Sequence, residues 1–330
     1  MAILFVSGVN DRSTIGIQTD DDGNVIHLMD GNCSVHRRVP LKEGLAGFVV
    51  LLGKGVKQRM FNFSETPTLI FNQIADADTH RGSLERCGEL CAQLSSAVIN
   101  PPQNVLRTTR DGISELLQDI PGVTMPRTLR FRPLSPDAVF EFASEKDFEF
   151  PFIIRVVGDH AGKSMVLVRS RDDLALLHVF PFDGRDYYLT EFVDYKSKDG
   201  LYHKQRFIMI NGEPVLRHSL FNTHWKIHAA SRGYMQKHES WEDDEKRCVR
   251  LETEMVPKLE TVFKEITDRI GLEYVGLDCN INEDGELLVF EANANMNILF
   301  NPYPELNDRL EMIKQKIYAL LTRYSGERVI

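Results

Sequence analysis

The sequence lacks the features that mark several large classes of protein. Its 330 residues contain no run of eighteen apolar residues, so no helix is predicted to cross a membrane. The five cysteines form no CxxC pair, which argues against a disulfide-stapled secreted scaffold and favours a reducing, cytoplasmic location. Lysine and arginine (39) are outnumbered by aspartate and glutamate (48), and this balance disfavours binding to nucleic acid or to an anionic membrane. A Gly-x-Ser-x-Gly elbow is also missing, so a serine hydrolase has no support.

The composition is that of a folded chain with more than one domain. Hydrophobic residues make up 42% and charged residues 26% of the sequence, which is enough apolar material for a buried core. The length favours two or three domains or lobes, at roughly 100–200 residues each. The first residues read Met-Ala-Ile-Leu-Phe-Val-Ser-Gly and carry no basic leader or cleavage site, so they predict a strand and not a signal peptide.

The first third of the chain alternates between strand and helix patterns, which predicts an α/β unit with a largely parallel sheet. Two antiparallel strands are expected around the turn at 20–23. Thr109 is a plausible N-cap for the second helix, because a threonine oxygen can accept a hydrogen bond from the first helical turn. The predicted parallel strands and helices are strands 3–6, 47–52, 68–72 and 98–100, and helices 83–94 and 110–118.

The remaining chain is richer in strands. Asn211-Gly212 between two β-rich runs predicts a tight hairpin. A charged helix is expected over 242–271 with a kink or a restart at Pro257, and a last amphipathic helix over 305–324. The strands predicted here are 152–157, 164–169, 187–193, 203–210, 214–218, 274–281 and 287–291, with a short helix at 172–177.

The most informative pattern is an acidic residue on one strand followed by a Glu-x-Asn sequence on the next. Asp278 lies in the first of two strands that a short turn joins, and Glu291 and Asn293 lie two apart in the second, so the last two point the same way. Three oxygen ligands on adjacent antiparallel strands suit Mg²⁺, which takes one or two carboxylates and leaves positions for substrate phosphates. The alternative is that these residues form the polar outer faces of two surface strands.

The order of motifs around this pattern resembles the ATP-grasp superfamily, nearest to RimK-like carboxylate–amine ligases, over roughly residues 101–297. The segment His218–His228 also resembles a variant found in grasp domains that are often joined to tetratricopeptide repeats. The resemblance implies an α/β chain (α+β within the grasp lobes), in which an N-terminal Rossmann-like domain precedes a two-lobed ATP-grasp fold. The implied units are the N-terminal domain at 1–120, the small lobe with the phosphate loop at 121–190 and the large lobe with the Mg²⁺ site at 191–330.

The resemblance also implies a set of basic residues for the ATP phosphates. Arg206 and Lys163 are the implied catalytic cations, since an arginine fork suits a transferring phosphoryl group and Lys163 stands in a loop with two glycines. Arg217 or His218 could complete that pocket. Each of these side chains could instead be a solvent-facing or helix-start cation. The implied phosphate-binding residues are Arg110, Arg155, Lys163 and Lys204.

A second implied element is the adenine hinge at the end of the strand at 187–193. In the resembling enzymes backbone groups here bind adenine and an acidic side chain holds ribose, although Glu191 could also be an edge-strand carboxylate. The implied hinge residues are Glu191, Phe192, Val193 and Asp194.

Several residues depart from the family pattern. Many such ligases follow the metal-binding Asn with a Pro-Gly turn, whereas here the chain continues as Ala294-Asn295. Arginines stand at 110 and 155 where lysines are common, and Lys204 stands where an aspartate often precedes the arginine. Charge is retained at these positions, so the departures bear on the acceptor pocket more than on phosphate binding.

The resemblance therefore implies an ATP-dependent ligase with ATP and Mg²⁺ (or Mn²⁺) as cofactors. Such an enzyme activates a small-molecule or peptide carboxylate as an acyl phosphate and couples it to an amine; a homodimer is a family-based expectation. Two alternatives are a small-molecule kinase on the same fold and a non-catalytic ATP-binding regulatory protein. A zinc site at His224 and His228 would need a third ligand that the sequence does not fix.

Overall fold

In the described residues, three sheets of four or five strands surround a central cavity, and a separate two-stranded hairpin accompanies them. The computed structural model describes residues 1–19, 25–28, 30–54, 66–160, 162, 164–294, 296, 298–300 and 302–324. Lys163 lies outside these residues. Among the described residues, no helix combines the length and hydrophobicity that a membrane span requires.

The first sheet, called the N-terminal sheet, has the strand order β4-β1-β5-β6 and is parallel throughout, as the sequence predicts. Its central strand β1 is buried along its whole length, which explains why the sequence there is a continuous apolar run. The predicted hairpin is β2-β3, which pairs antiparallel. The elements up to residue 99 are β1 (Ala2–Gly8), β2 (Gly16–Thr19), β3 (Val25–Leu28), α1 (Val35–Arg38), β4 (Ala46–Leu52), β5 (Leu69–Asn72), α2 (Arg81–Gln93) and β6 (Ala97–Ile99).

The second sheet, called the middle sheet, is antiparallel with the order β10-β9-β11-β8. One face packs on a helix through buried aromatic side chains, among them Phe140, Phe152 and Tyr187. Thr109 caps the helix before this sheet as expected, since its side chain accepts a hydrogen bond from the amide of Gly112. The elements here are α3 (Pro102–Val105), α4 (Arg110–Leu117), β7 (Val123–Thr124), β8 (Thr128–Phe131), α5 (Pro136–Glu145), β9 (Phe152–Val156), β10 (Val166–Val168), α6 (Leu174–Leu177) and β11 (Tyr187–Glu191).

The third sheet, called the C-terminal sheet, has the order β13-β12-β14-β15-β7. Strand β13 continues to Asn222, four residues beyond the predicted end, because Ser219, Leu220 and Phe221 are buried against the following helix. The elements are β12 (Tyr202–Ile210), β13 (Glu213–Asn222), α7 (Ser231–Met235), α8 (Trp241–Arg250), α9 (Glu260–Ile270), β14 (Tyr274–Ile281), β15 (Leu287–Asn293) and α10 (Asn307–Arg323).

The long charged helix predicted over 242–271 is divided in the structure. Helix α8 passes into a π-helical turn at Leu251–Met255 and a 3₁₀ turn at Val256–Leu259 before α9 begins. Pro257 lies in the 3₁₀ turn and has no backbone N–H to continue the α-helical ladder, which accounts for the interruption. The predicted interruption is thus confirmed, and of its two forms, a kink or a restart, the structure shows a restart after a change of helix type.

The N-terminal and C-terminal sheets share their hydrophobic cores. One cluster joins Leu4 of β1 with Leu277 of β14, and another joins Ile3 of β1 with Ile208 of β12 and with helix α10. This shared packing fixes the loops of the N-terminal sheet beside the C-terminal sheet. The division at 1–120, 121–190 and 191–330 stays a prediction; strand β7, within the predicted small lobe, pairs with β15 of the C-terminal sheet.

Candidate active site in the cavity between the sheets

A row of charged side chains crosses three neighbouring strands of the C-terminal sheet. Arg206 of β12 lies opposite Asp278 of β14, and Asp278 lies opposite Glu291 of β15. Arg206 donates from Nε and Nη2 to the two Asp278 carboxylate oxygens at 2.6 and 2.8 Å, and Lys204 Nζ donates to the same carboxylate at 3.0 Å. The side chains of Lys204 and Arg206 are only 15% and 19% exposed. They therefore face into the protein and do not form a solvent-facing cationic surface.

Glu291 is held by a cation from a different element. Arg110, the first residue of α4, forms an ion pair with Glu291 at 2.7 Å. Asn293 Nδ2 donates to Glu291 Oε1 at 2.6 Å, so the two residues lie on one face of β15 as their spacing predicts. The three residues predicted to hold a metal, Asp278, Glu291 and Asn293, are thus brought to one place by β14 and β15.

The carboxylates of this row are kept ionised by their basic neighbours. Burial alone would raise the pKa of Asp278, but Arg206 and Lys204 hold it far below its usual range. Burial likewise opposes ionisation of Glu291, and the nearby guanidinium of Arg110 lowers its pKa on balance. Both groups are therefore anions at neutral pH.

Arg155, from β9 of the middle sheet, faces this row across the cavity. Its Nη2 donates to the carbonyl of Asp159, and its Nε is buried and has no hydrogen-bond partner among the described residues. Burial and the nearby Arg110 lower the pKa of Arg155 to about 10. A buried guanidinium with a free donor is a group that a bound anion would satisfy.

The loop after β9 reaches from the middle sheet to the N-terminal sheet. Gly158 has a φ of +76°, and a Cβ at this position would lie 2.8 Å from Thr79 Cγ2. His160 Nε2 lies 2.9 Å from Asp76 Oδ2. The predicted phosphate loop is therefore attached to the N-terminal loop 76–80 at one edge of the cavity. Lys163, its predicted cation, lies outside the described residues.

The predicted hinge begins at the last residue of β11. Three of its residues line the cavity: Glu191, Phe192 and Val193. The Glu191 carboxylate pairs with Arg127 at 2.9 Å, so it is engaged by the protein in this structure. Phe192 packs edge-on against Trp225 with ring centroids 5.5 Å apart. Asp194 does not line the cavity in the described residues; its Oδ1 accepts from the backbone N–H of Lys196 at 3.2 Å.

A second polar network lies where the middle sheet meets the N-terminal loop 76–80. The Tyr188 hydroxyl donates to Asp78 at 2.7 Å, and Arg130 donates to the Tyr188 oxygen at 2.6 Å and also pairs with Asp78. Nothing in the sequence links Tyr188 to Asp78, which is 110 residues away. This network holds the middle sheet against the N-terminal domain.

The charged row, Arg155, the loop after β9 and the hinge residues 191–193 border one cavity of about 1630 Å³. It extends from the hinge past the charged row to the loops of the N-terminal sheet. Pockets for a single small ligand are typically about 300–1,000 Å³, so the space suits more than one ligand. In the part of the chain that the structure describes, no cluster of three or more His, Cys, Asp or Glu side chains could hold a metal, so His224 and His228 have no third ligand of these types.

The fold is also found in solved structures. The D-Ala:D-Ser ligase VanG from Enterococcus faecalis superposes over 98% of this chain and 99% of its own, with a TM-score of 0.54 at 10% identity. The D-alanine–D-alanine ligase from Bacillus anthracis, solved with ATP, gives the same TM-score, coverage and identity. The macrocyclase MdnC from Microcystis aeruginosa MRC, bound to its precursor peptide MdnA, superposes over 98% of this chain and all of its own, with a TM-score of 0.51 at 15% identity.

These structural likenesses define the class of fold. The chain has the fold of the ATP-grasp superfamily, as the sequence resemblance implies. No protein-family model and no curated protein sequence matches the chain. The likeness is therefore one of three-dimensional structure, and the nearer resemblance to RimK-like ligases stays a prediction.

Proposed function

We propose that the chain is an ATP-dependent ligase that activates a carboxylate as an acyl phosphate and couples it to an amine. The observation that carries the proposal is the charged cluster on the cavity wall. Four cations surround two carboxylates there, which leaves an excess of two positive charges inside a partly buried site. The cations are Arg110, Arg155, Lys204 and Arg206, and the carboxylates are Asp278 and Glu291. A polyphosphate chelated by one divalent cation has the complementary charge.

The donor set fits a magnesium ion. Asp278 and Glu291 supply carboxylate oxygens and Asn293 an amide oxygen, and hard oxygen ligands are those that Mg²⁺ takes in proteins. Mg²⁺ or Mn²⁺, when bound, would neutralise charge on the terminal phosphates of ATP. In the structure Lys204 and Arg206 donate to Asp278, and both would bind a phosphate beside that carboxylate when Asp278 turns towards the metal.

The chain's own residues would act by positioning and by charge. A substrate carboxylate oxygen forms a bond to the γ-phosphorus while the bond from that phosphorus to the β–γ bridging oxygen breaks, and ADP leaves. Arg206 and Arg155 would stabilise the negative charge on the transferring phosphoryl group. The amine nitrogen then bonds to the acyl carbon, the carbon–oxygen bond to phosphate breaks, and the amine proton passes to the released phosphate or to solvent.

The loop after β9 would protect this intermediate. Gly158 beside Thr79 and the His160–Asp76 pair hold the loop over the edge of the cavity, where it would exclude water from an acyl phosphate. Lys163 in the same loop is proposed as a further phosphate-binding cation. At the hinge, the backbone of Phe192 and Val193 would meet adenine, and Glu191, the acidic hinge residue that lines the cavity, would meet ribose.

The test is phosphorus NMR of the protein with Mg-ATP and pools of amino acids, small carboxylates and polyols, with and without hydroxylamine. Formation of ADP, free phosphate and a hydroxamate would support the ligase. A new phosphoester without free phosphate would indicate a kinase, and ATP that binds without being consumed would indicate a regulatory protein. Glu291→Gln should abolish turnover, whereas Glu286→Gln, at an exposed position just before β15, should not. Retained activity in Glu291→Gln would rule out the proposed metal site.

A further inference from the structure

Arg217 on β13 is a buried arginine that lines the cavity and has no acidic partner among the described residues. The residue is 4% exposed. Its Nε donates to the carbonyl of Ile298 at 2.8 Å and its Nη2 to the carbonyl of Phe300 at 3.2 Å. Its Nη1 is buried and has no hydrogen-bond partner among the described residues. A guanidinium has five N–H donors, so the two on Nη1 are available to a ligand.

A β-bulge gives Arg217 this orientation. On β12 and β13 the register pairs Arg206 with His218 and then Phe207 with Leu216, so Arg217 is the extra residue on its strand. An extra residue in a bulge re-aims side chains and lets two consecutive residues face the same side. Arg217 and His218 accordingly both line the cavity. The bulge lies directly beside the charged row of Arg206 and Asp278.

Three other arginines of the C-terminal sheet and the helices that follow it each have an acid. Arg206 pairs with Asp278, Arg232 pairs with Asp244, and Arg309 pairs with two glutamates, Glu245 and Glu252. Burial and the charges of Arg232, Arg206 and Arg309 lower the pKa of Arg217 to about 10. Its three basic neighbours are each balanced by an acid, whereas Arg217 has none among the described residues and has a buried Nη1 without a partner; this arrangement favours a bound anion.

Arg217 lies at a different position along the cavity from the predicted adenine hinge. The contact of Phe192 with Trp225 marks the hinge end of the cavity, and Trp225 follows the end of β13 at Asn222. Along β13 from this end, Leu220 comes first and lies opposite Lys204, and His218 comes next and lies opposite Arg206. The phosphates of a nucleotide held at the hinge would therefore meet Lys204 before Arg206. Arg217 lies one step further along β13, next to the segment 298–300.

We propose that Arg217 binds the carboxylate of the substrate beside the phosphoryl-transfer position. The inference rests on the proposed function and adds to it the residue that holds the substrate. Nε and one N–H of Nη2 already donate to backbone carbonyls, so Arg217 would bind one carboxylate oxygen through Nη1 and leave the other oxygen to attack phosphorus. His218 would contribute a neutral imidazole at the same place, since burial and the charges of Arg206 and Arg217 hold its pKa well below the ordinary value.

The experiment is an NMR titration of arginine-labelled full-length protein with sodium acetate, at constant ionic strength set by sodium chloride. Spectra are recorded without nucleotide and with a saturating non-hydrolysable Mg-ATP analogue. The guanidinium signals of Arg217 and of the buried control Arg309 are assigned with Arg217→Lys and Arg309→Lys. We expect a saturable shift of the Arg217 signal with acetate in both series, and none of the Arg309 signal. The ring signals of His218 provide a second readout, and in Arg217→Lys they should report acetate binding weakened by roughly tenfold or more.

The outcomes distinguish this inference from the proposed function. Failure of the analogue to bind would count against the proposed function, while the acetate series without nucleotide would still decide the role of Arg217. Loss of the acetate response in the presence of the analogue would show that Arg217 binds the γ-phosphate, and this overturns the inference. Absence of any response of Arg217 or His218 to acetate also overturns it, and would leave Arg217 as a support for the segment 298–300. If Arg217→Lys does not fold, the His218 signals of the unmodified protein give the same decision.

Discussion

Arg206 and Asp278 face each other on neighbouring strands, and the guanidinium of Arg206 meets both carboxylate oxygens, at 2.6 and 2.8 Å. A bidentate pair of this kind fixes both side chains in orientation as well as charge. Lys204 contacts the same carboxylate. The buried Asp278 therefore fixes the positions of two of the cations that are proposed to bind phosphate.

The first prediction concerns the stability that this arrangement provides. Asp278→Ala should lower the free energy of unfolding by about 3–5 kcal/mol, because it leaves Lys204 and Arg206 as partly buried cations without their partner. Urea unfolding measures the change. Glu283→Ala is the matched control, since it breaks an exposed pair with Lys198 and should leave the stability nearly unchanged. Equal effects of the two substitutions would contradict the prediction.

The second prediction concerns Arg155, whose buried Nε has no partner among the described residues. Arg155→Met should leave the ligand-free protein at least as stable, because an apolar side chain of similar length avoids the cost of burying a charge. The same substitution should weaken binding of a fluorescent ATP analogue by roughly tenfold or more, as a charge-assisted hydrogen bond to phosphate is lost. Thermal unfolding and a fluorescence titration provide the two readouts.

Arg132→Met is the control for this prediction. Arg132 lies outside the cavity lining and pairs with Asp186 at 2.8 Å on the protein surface. Its replacement should not change nucleotide affinity. If Arg155→Met destabilises the protein and binds nucleotide normally, Arg155 has a structural role and not a phosphate-binding one.

The parts of the site that could be predicted from the sequence are those that depend on local pattern. Asp278 and Glu291 lie on strands joined by a short turn, so their approach follows from the hairpin, and the spacing of Glu291 and Asn293 places both on one face. The N-cap at Thr109 likewise depends on a hydrogen bond between two residues that are three apart in sequence. Alternation and turn signals were sufficient for these features.

The remaining features depend on contacts distant in sequence. The bulge at Arg217 is a property of strand register, which no residue type specifies alone. The partner of Glu191 is Arg127, 64 residues away, and that of His160 is Asp76, 84 residues away. The packing of the three sheets therefore decides which buried cations have an acid beside them. The sequence by itself does not predict these pairs.

The third prediction concerns the close packing behind the charged row. A Cβ at Gly276 of β14 would lie 2.6 Å from the sulfur of Met296 and 2.7 Å from its Cβ. Gly276→Ala should therefore cost about 1–3 kcal/mol of stability, the usual penalty for overpacking a core. Urea unfolding measures it, and Gly233→Ala serves as control, since a Cβ there would meet nothing within 4 Å. An unchanged stability of Gly276→Ala would show that Met296 moves aside freely.

The last prediction concerns the pH dependence of the contact between His160 and Asp76. The hydrogen bond and charge of Asp76 raise the pKa of His160 despite partial burial and the nearby charge of Arg110; Glu291 acts in the same direction as Asp76. A raised pKa means that the folded protein holds the proton more tightly than the unfolded chain. The stabilisation is therefore complete below the unfolded-state pKa, about 6.5, and is lost as the pH rises through the folded-state pKa.

Thermal unfolding between pH 5.5 and 9 tests this sign. The difference in melting temperature between the unmodified protein and His160→Gln should be largest at the acidic end and should shrink as the pH rises. Asp76→Asn should remove most of the pH-dependent difference, because the histidine then has no anion to hold its proton. A difference that grows with pH, or one that persists unchanged in the Asp76→Asn background, would mean that His160 stabilises the loop through packing and not through its charge.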